Sequence, residues 1–205
     1  MPRLFYPLLL YRSVVVPFLV VSAIAVPCWL IVRLYRRRTS AQRPSFAREV
    51  LLLTFVLYLS GLAAATLAPE RSARARERHD ATGGIVLRPG PAGLTCPSTA
   101  PTTGPHDRFF CGYNAVGNVL LFFPLGILLP LVCTRLGFWR GAQIALALSM
   151  SIELVQYVSS AWGSYRLADV NDVILNVLGA SLGFALVALL RIGWNRRPRA
   201  AVRRA

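Results

Sequence analysis

The stretch Gly141–Val158, GAQIALALSMSIELVQYV, is apolar enough and long enough to cross a bilayer, yet it carries a carboxylate well inside it, at Glu153. A charged side chain at such a depth costs roughly 2.5 to 3.5 kcal/mol even on a lenient insertion scale, so it is placed there for a reason. At helical spacing Ser149, Glu153, Gln156 and Ser160 follow one another at steps of four, three and four, which puts all the polar groups on one stripe. That stripe is expected to face protein or water rather than lipid.

The rest of the chain has the same character. Of 205 residues, 55% are hydrophobic and 15% charged, the mean hydropathy is +0.53, and the apolar residues come in runs of about twenty. Five spans are expected: Val14 to Val32, Val50 to Ala68, Tyr113 to Cys133, Gly141 to Ser159 and Val173 to Ile192. Pro17 and Pro27 in the first and Pro124 and Pro130 in the third suggest kinks, since lipid-buried helices tolerate proline. The fold class is therefore all-α, a polytopic integral membrane protein built as a bundle of about five transmembrane helices. A cleaved signal peptide is the competing reading of the first run and is not expected, because that run is longer than a signal core.

The formal net charge of +15 would point to nucleic acid in a soluble protein. Here every basic residue is Arg and many flank the apolar runs, where orientation and anionic lipid account for them; no nucleic-acid partner is expected. Arg33, Arg36, Arg37, Arg38, Arg43 and Arg48 lie between the first two spans, Arg135 and Arg140 between the third and fourth, and Arg191, Arg196, Arg197, Arg199, Arg203 and Arg204 at or beyond the end of the fifth. These segments are expected in the cytoplasm, leaving the N-terminus, the long loop and the short Ser160 to Asp172 turn outside. The expected division is a first helix with its basic loop over 1–49, a helical membrane domain over 50–192 with an extracytoplasmic loop over 69–112, and a basic cytoplasmic tail over 193–205.

The long loop is rich in Pro, Gly, Thr and Arg and is expected to be mostly irregular. Cys96 and Cys111 within it share one side of the membrane and can either close a disulfide or remain thiols, because spacing says nothing of geometry. Cys28 and Cys133 read as small hydrophobes. His79 and His106 are isolated, so no His-based metal site is indicated.

The polar residues of the later spans gather in sequence. Asn118 precedes Leu120-Leu121-Phe122-Phe123-Pro124-Leu125-Gly126, with Asn114 one turn earlier. After the fourth span Arg166, Asp169, Asp172, Asn176, Gly179 and Gly183 are spaced so as to share one face if the segment is helical. Gly179 and Gly183 make a small-xxx-small surface suited to close packing. At 1.5 Å per residue, Asn118, Glu153 and Asn176 each lie roughly 6 to 9 Å from the outer end of a span. A shared polar layer of Asn118, Glu153, Gln156, Asp172 and Asn176, with Arg166 and Asp169 above it, is the expected ligand-binding set. The competing reading is a clasp in which the same groups only bind neighbouring helices, with Asp169 and Asp172 as helix-start acids.

These strings resemble the VanZ-like membrane protein family: Asn118 to Gly126, Glu153-Leu-Val-Gln156, and Arg166-x-x-Asp169-x-x-Asp172-x-x-x-Asn176-x-x-Gly179-x-x-x-Gly183. The resemblance spans roughly the second to the fifth spans, in the right order. It implies a bacterial cell-envelope protein, a binding or accessory module tied to teicoplanin-type glycopeptide resistance or to a surface lipid. Its partners would be membrane lipids and a lipid-linked or glycopeptide ligand on the outer side. It supplies no reaction, catalytic residue or cofactor. An intramembrane enzyme using a hard cation on a lipid-linked phosphate is the alternative, although the usual supporting Lys or His is missing.

Overall fold

The computed structural model describes the backbone of residues 6–39, 45–67, 73–90 and 105–195, and the side chains within them other than 6–14, 73–75, 78, 105–114 and 195. The order is α1 (Tyr6–Thr39), α2 (Phe46–Leu67), α3 (Ala73–Thr82), β1 (Ile85–Val86), α4 (Pro105–Val132), α5 (Phe138–Ser159), a 3-10 turn (Ser160–Trp162), β2 (Ala168–Asp169) and α6 (Val170–Asn195). Among the described residues, five helices are long and apolar enough to cross a membrane: Val15–Thr39, Phe46–Leu67, Ala115–Val132, Phe138–Trp162 and Val170–Trp194. The protein is an all-α polytopic membrane protein. Each of these helices overlaps one expected span, and α1 and α4 run unbroken through Pro17, Pro27, Pro124 and Pro130.

The chain divides into two compact units, Met1–Pro89 with Met150–Val170, and Gly90–Ser149 with Asn171–Ala205. In the first, α2 is started by Ser45, whose Oγ accepts from the Arg48 N–H at 3.3 Å, while its carbonyl accepts from Glu49. Glu49 in that first turn is 6% exposed and pairs with Arg33 at 2.8 Å and Arg37 at 3.9 Å on α1. A buried carboxylate is tolerable only when so matched, and the pair ties the two helices at one end. Further along, the Phe18 ring lies against Gly61. The buried Ser60 and Thr66 hydroxyls donate to the Val56 and Leu62 carbonyls, which satisfies them within α2.

The long loop departs from expectation over its described residues. Ala73–Thr82 is helical, and Ile85–Val86 pairs in parallel with Ala168–Asp169. The Ala, Arg and Glu content of ARARERHDAT favours a helix, supported by an Arg76–Asp80 pair one turn apart; the Pro and Gly that suggested irregularity lie beyond it. Gly83 and Gly84, at φ 64° and 78°, make the left-handed turn between helix and strand.

In the second unit α4 and α6 pack in parallel at very short range. A Cβ at Gly179 would overlap the Val119 carbonyl, one at Gly183 the Phe123 carbonyl and one at Gly126 the Ala180 carbonyl. The expected small-residue surface is thus a backbone-to-backbone contact, in which packing rather than the hydrophobic effect draws the helices together. Phe122, Leu125, Leu129, Ala145, Leu175, Ala180 and Val187 fill the interior of this unit. At one end of this contact Arg191 donates to the Pro130 carbonyl at 2.9 Å, close to the C-terminus of α4. At another helix end the Phe184 ring packs edge-on to Phe138 at 5.7 Å.

Candidate functional site

On α5 the expected stripe is buried: Ser149 is 0% exposed, Glu153 8% and Gln156 6%. Ser160 leaves it, because α5 ends at Ser159 and the Ser160 hydroxyl donates locally to the Tyr157 carbonyl. Gly163, at φ 77°, closes the 3-10 turn and sends the chain back along α5.

That return sets the first cluster. The Asp169 N–H donates to Glu153 Oε2 at 2.9 Å, and the neighbouring Ala168 N–H donates to the Gly84 carbonyl at 3.0 Å. The backbone of β2 is therefore held from both sides. Here the structure corrects the sequence reading: Arg166 and Asp169 do not continue the face of α6, which begins at Val170. The physical reason is that their segment spends its backbone hydrogen bonds sideways, on β1 and on a carboxylate, rather than along a helix. A donated N–H also offsets part of the cost of burying Glu153.

Arg166 and Gln156 meet at the end of α2. Helix termini leave their last carbonyls without partners. Arg166 Nη1 donates to the Thr66 carbonyl at 2.9 Å and Nη2 to that of Ala65 at 3.3 Å, while Gln156 Nε2 donates to the Thr66 carbonyl at 2.7 Å. A guanidinium at the negative end of a helix dipole is favourable in charge as well as in hydrogen bonding. Both terminal nitrogens of the Arg166 guanidinium are thus committed to backbone. Tyr165 beside it receives Arg76 over its ring at 5.7 Å and the His79 ring edge-on at 5.9 Å.

The second unit holds the other expected residues. Asn176, 3% exposed, donates from Nδ2 to Ser149 Oγ at 2.9 Å, joining α6 to α5. Its Oδ1 is buried with no hydrogen-bond partner, and so is Nδ2 of Asn118 on α4. Asp172 lies in the first turn of α6 and Asp169 immediately before that helix, positions at which acids serve as caps. Of the expected set, Glu153, Gln156, Arg166 and Asp169 belong to one unit and Asn118, Asp172 and Asn176 to the other.

Asn171 and Glu49 are among the buried polar residues that were not anticipated. Asn171 accepts the Gly90 N–H on Oδ1 at 3.2 Å, and its only signal was its place beside the expected acids. Glu49 was visible as one acid in an Arg-rich connection, and its partners are set by the packing of α1 on α2. Cys28 and Cys133 are free and exposed; Cys96 lies outside the described residues, as does the side chain of Cys111, so their pairing is outside the description too. Among the described residues no three His, Cys, Asp or Glu side chains gather as ligands for a metal ion.

The family model described as VanZ/LLP1 matches residues 51–191, more than half of the chain. Protein VanZ of Enterococcus faecium is 30% identical over 82 residues, a segment that makes up 40% of this chain and 48% of that protein. The match thus spans about half the length of this curated relative. No solved structure matches.

Proposed function

The chain belongs to the VanZ/LLP1 family, and from that premise we propose that it is a binding or accessory module of the bacterial cytoplasmic membrane, engaging a lipid-linked or glycopeptide ligand from the outer side. The consequence for the cell is a changed response to teicoplanin-type antibiotics or altered handling of a surface lipid. The ligand-binding residues are Glu153, Gln156, Arg166 and Asp169 in one unit and Asn118, Asp172 and Asn176 in the other.

The observation that carries binding over a pure clasp is the open hydrogen-bonding capacity at Asn118 Nδ2 and Asn176 Oδ1. A clasp consumes its donors and acceptors, since each buried polar atom left unpaired costs about 1 to 3 kcal/mol. Orientation rests on the Arg-rich ends of α1 and α6 and the Arg135 and Arg140 connection, read as cytoplasmic. Trp139 and Trp194, 78% and 72% exposed, fit the aromatic belt of the same side. The parallel packing of α4 on α6 agrees with a serpentine path in which the third and fifth spans run the same way.

The test is teicoplanin susceptibility of a bacterium expressing the chain, measured together with membrane abundance. Asn118→Leu and Asn176→Leu are expected to keep abundance and lose the effect on susceptibility. Full effect in both variants at normal abundance rejects the binding reading.

A further inference from the structure

We infer that Asn118 and Asn176 form a two-point site for a single hydroxyl oxygen, one that accepts from Asn118 Nδ2–H and donates its own proton to Asn176 Oδ1. The inference deepens the binding reading above, and rests on it, by naming the chemical group that the open atoms select.

The register of the two helices brings these residues to within one helical turn of the same level. Val119 meets Gly179 and Phe123 meets Gly183, so α4 and α6 run in parallel with a constant offset. By that offset Asn176 lies opposite Val116, and Asn118 is displaced from it by about 3 Å along the axis at 1.5 Å per residue. Asn118 shares its helical face with the buried Phe122, Leu125 and Leu129, and Asn176 shares its own with Gly179 and Gly183. Both amides therefore turn toward the interior of the unit, beside a contact so tight that a methyl group would not fit. The Asn176 amide is oriented by its bond to Ser149, which uses Nδ2 and leaves Oδ1 as the open acceptor.

One donor and one acceptor, both neutral, define what fits. A carboxylate or phosphate oxygen cannot donate to Asn176, and an ammonium cannot accept from Asn118. A hydroxyl does both. Its source is either a water, for which buried polar groups are the usual host, or an alcohol carried by a lipid headgroup. The two share their chemistry at the site and differ in what else they carry.

The experiment uses the full chain, 15N-labelled at asparagine, in lipid nanodiscs. The side-chain amide of Asn118 is assigned by its loss in Asn118→Leu, and through-space contacts of that amide are recorded. One set of nanodiscs is phosphatidylcholine, which has no headgroup hydroxyl, and the other contains phosphatidylglycerol, which has them. A contact to water protons in both sets supports the site with water as its occupant. A contact to headgroup glycerol protons, which only the second set contains, supports it with a lipid alcohol. In either case the contact is expected to disappear in Asn176→Leu, with the remaining amide spectrum of that variant preserved. An Asn118 amide that touches only protein protons in both sets overturns the inference, and so does a contact that survives Asn176→Leu. A dry Asn118 together with lost susceptibility in the Leu variants would sink the hydroxyl assignment and leave the binding reading intact.

Discussion

Glu153 can be removed in two chemically different ways, and they report on different things. Glu153→Gln keeps an oxygen to accept the Asp169 N–H, so β2 stays held and folded yield in detergent is expected to match the parent. Glu153→Leu strands that N–H, at a cost of about 1 to 3 kcal/mol, and is expected to lower the yield. If the negative charge serves a ligand, the Gln variant loses its effect on antibiotic susceptibility despite normal yield; retention of both limits Glu153 to holding the loop. The acids at the start of α6 divide in the same manner. Asn satisfies orphan N–H groups at a helix start about as well as Asp, so Asp172→Asn is expected to keep membrane abundance and abolish the phenotype, with Asp169→Asn milder. Parental behaviour in both variants makes them helix-start chemistry alone. The sequence exposed Glu153 because an acid in an apolar run has no neutral explanation. It could not expose the partner, a backbone N–H in a segment whose side-chain spacing imitates the face of α6.

At the scale of elements, the contact between α4 and α6 separates one set of glycines from another. Gly126→Ala, Gly179→Ala and Gly183→Ala each drive a methyl group into a carbonyl oxygen of the facing helix, and overpacking of this kind costs about 1 to 3 kcal/mol. Gly117→Ala on α4 and Gly193→Ala on α6 meet nothing within 4 Å, and alanine is the better helix former by up to about 1 kcal/mol. Thermal unfolding in detergent is expected to fall for the first three and hold or rise for the last two; equal effects in both groups would mean that the close approach is not what matters. Arg166→Gln retains one donor for the end of α2 where the parent offers two, and a lower melting temperature is expected from it as well. The small-residue pair was legible because a step of four marks a helix face. The helix α3 was not, because neighbouring Pro and Gly dominated the reading of a segment whose own residues favour helix.

For the whole molecule, membrane placement was the most legible property, since five runs of apolar residues have no other solvent that suits them. The assignment of the polar residues to two units was hidden, because α5 passes from one unit to the other without a break in its sequence pattern. Orientation remains testable directly: a cysteine at Thr102 is expected to react with an impermeant label from outside intact cells, and a reporter fused after Arg204 to be active only in the cytoplasm. The reverse pattern would place the polar residues in the inner leaflet. The central claim, that these residues hold a ligand, is tested most directly by mass spectrometry of the lipids and glycolipids retained by the purified chain, with Asn118→Leu and Asp172→Asn beside it. The account predicts one species enriched with the parent and depleted in both variants at equal protein yield; the same mixed lipid background in all three would contradict it.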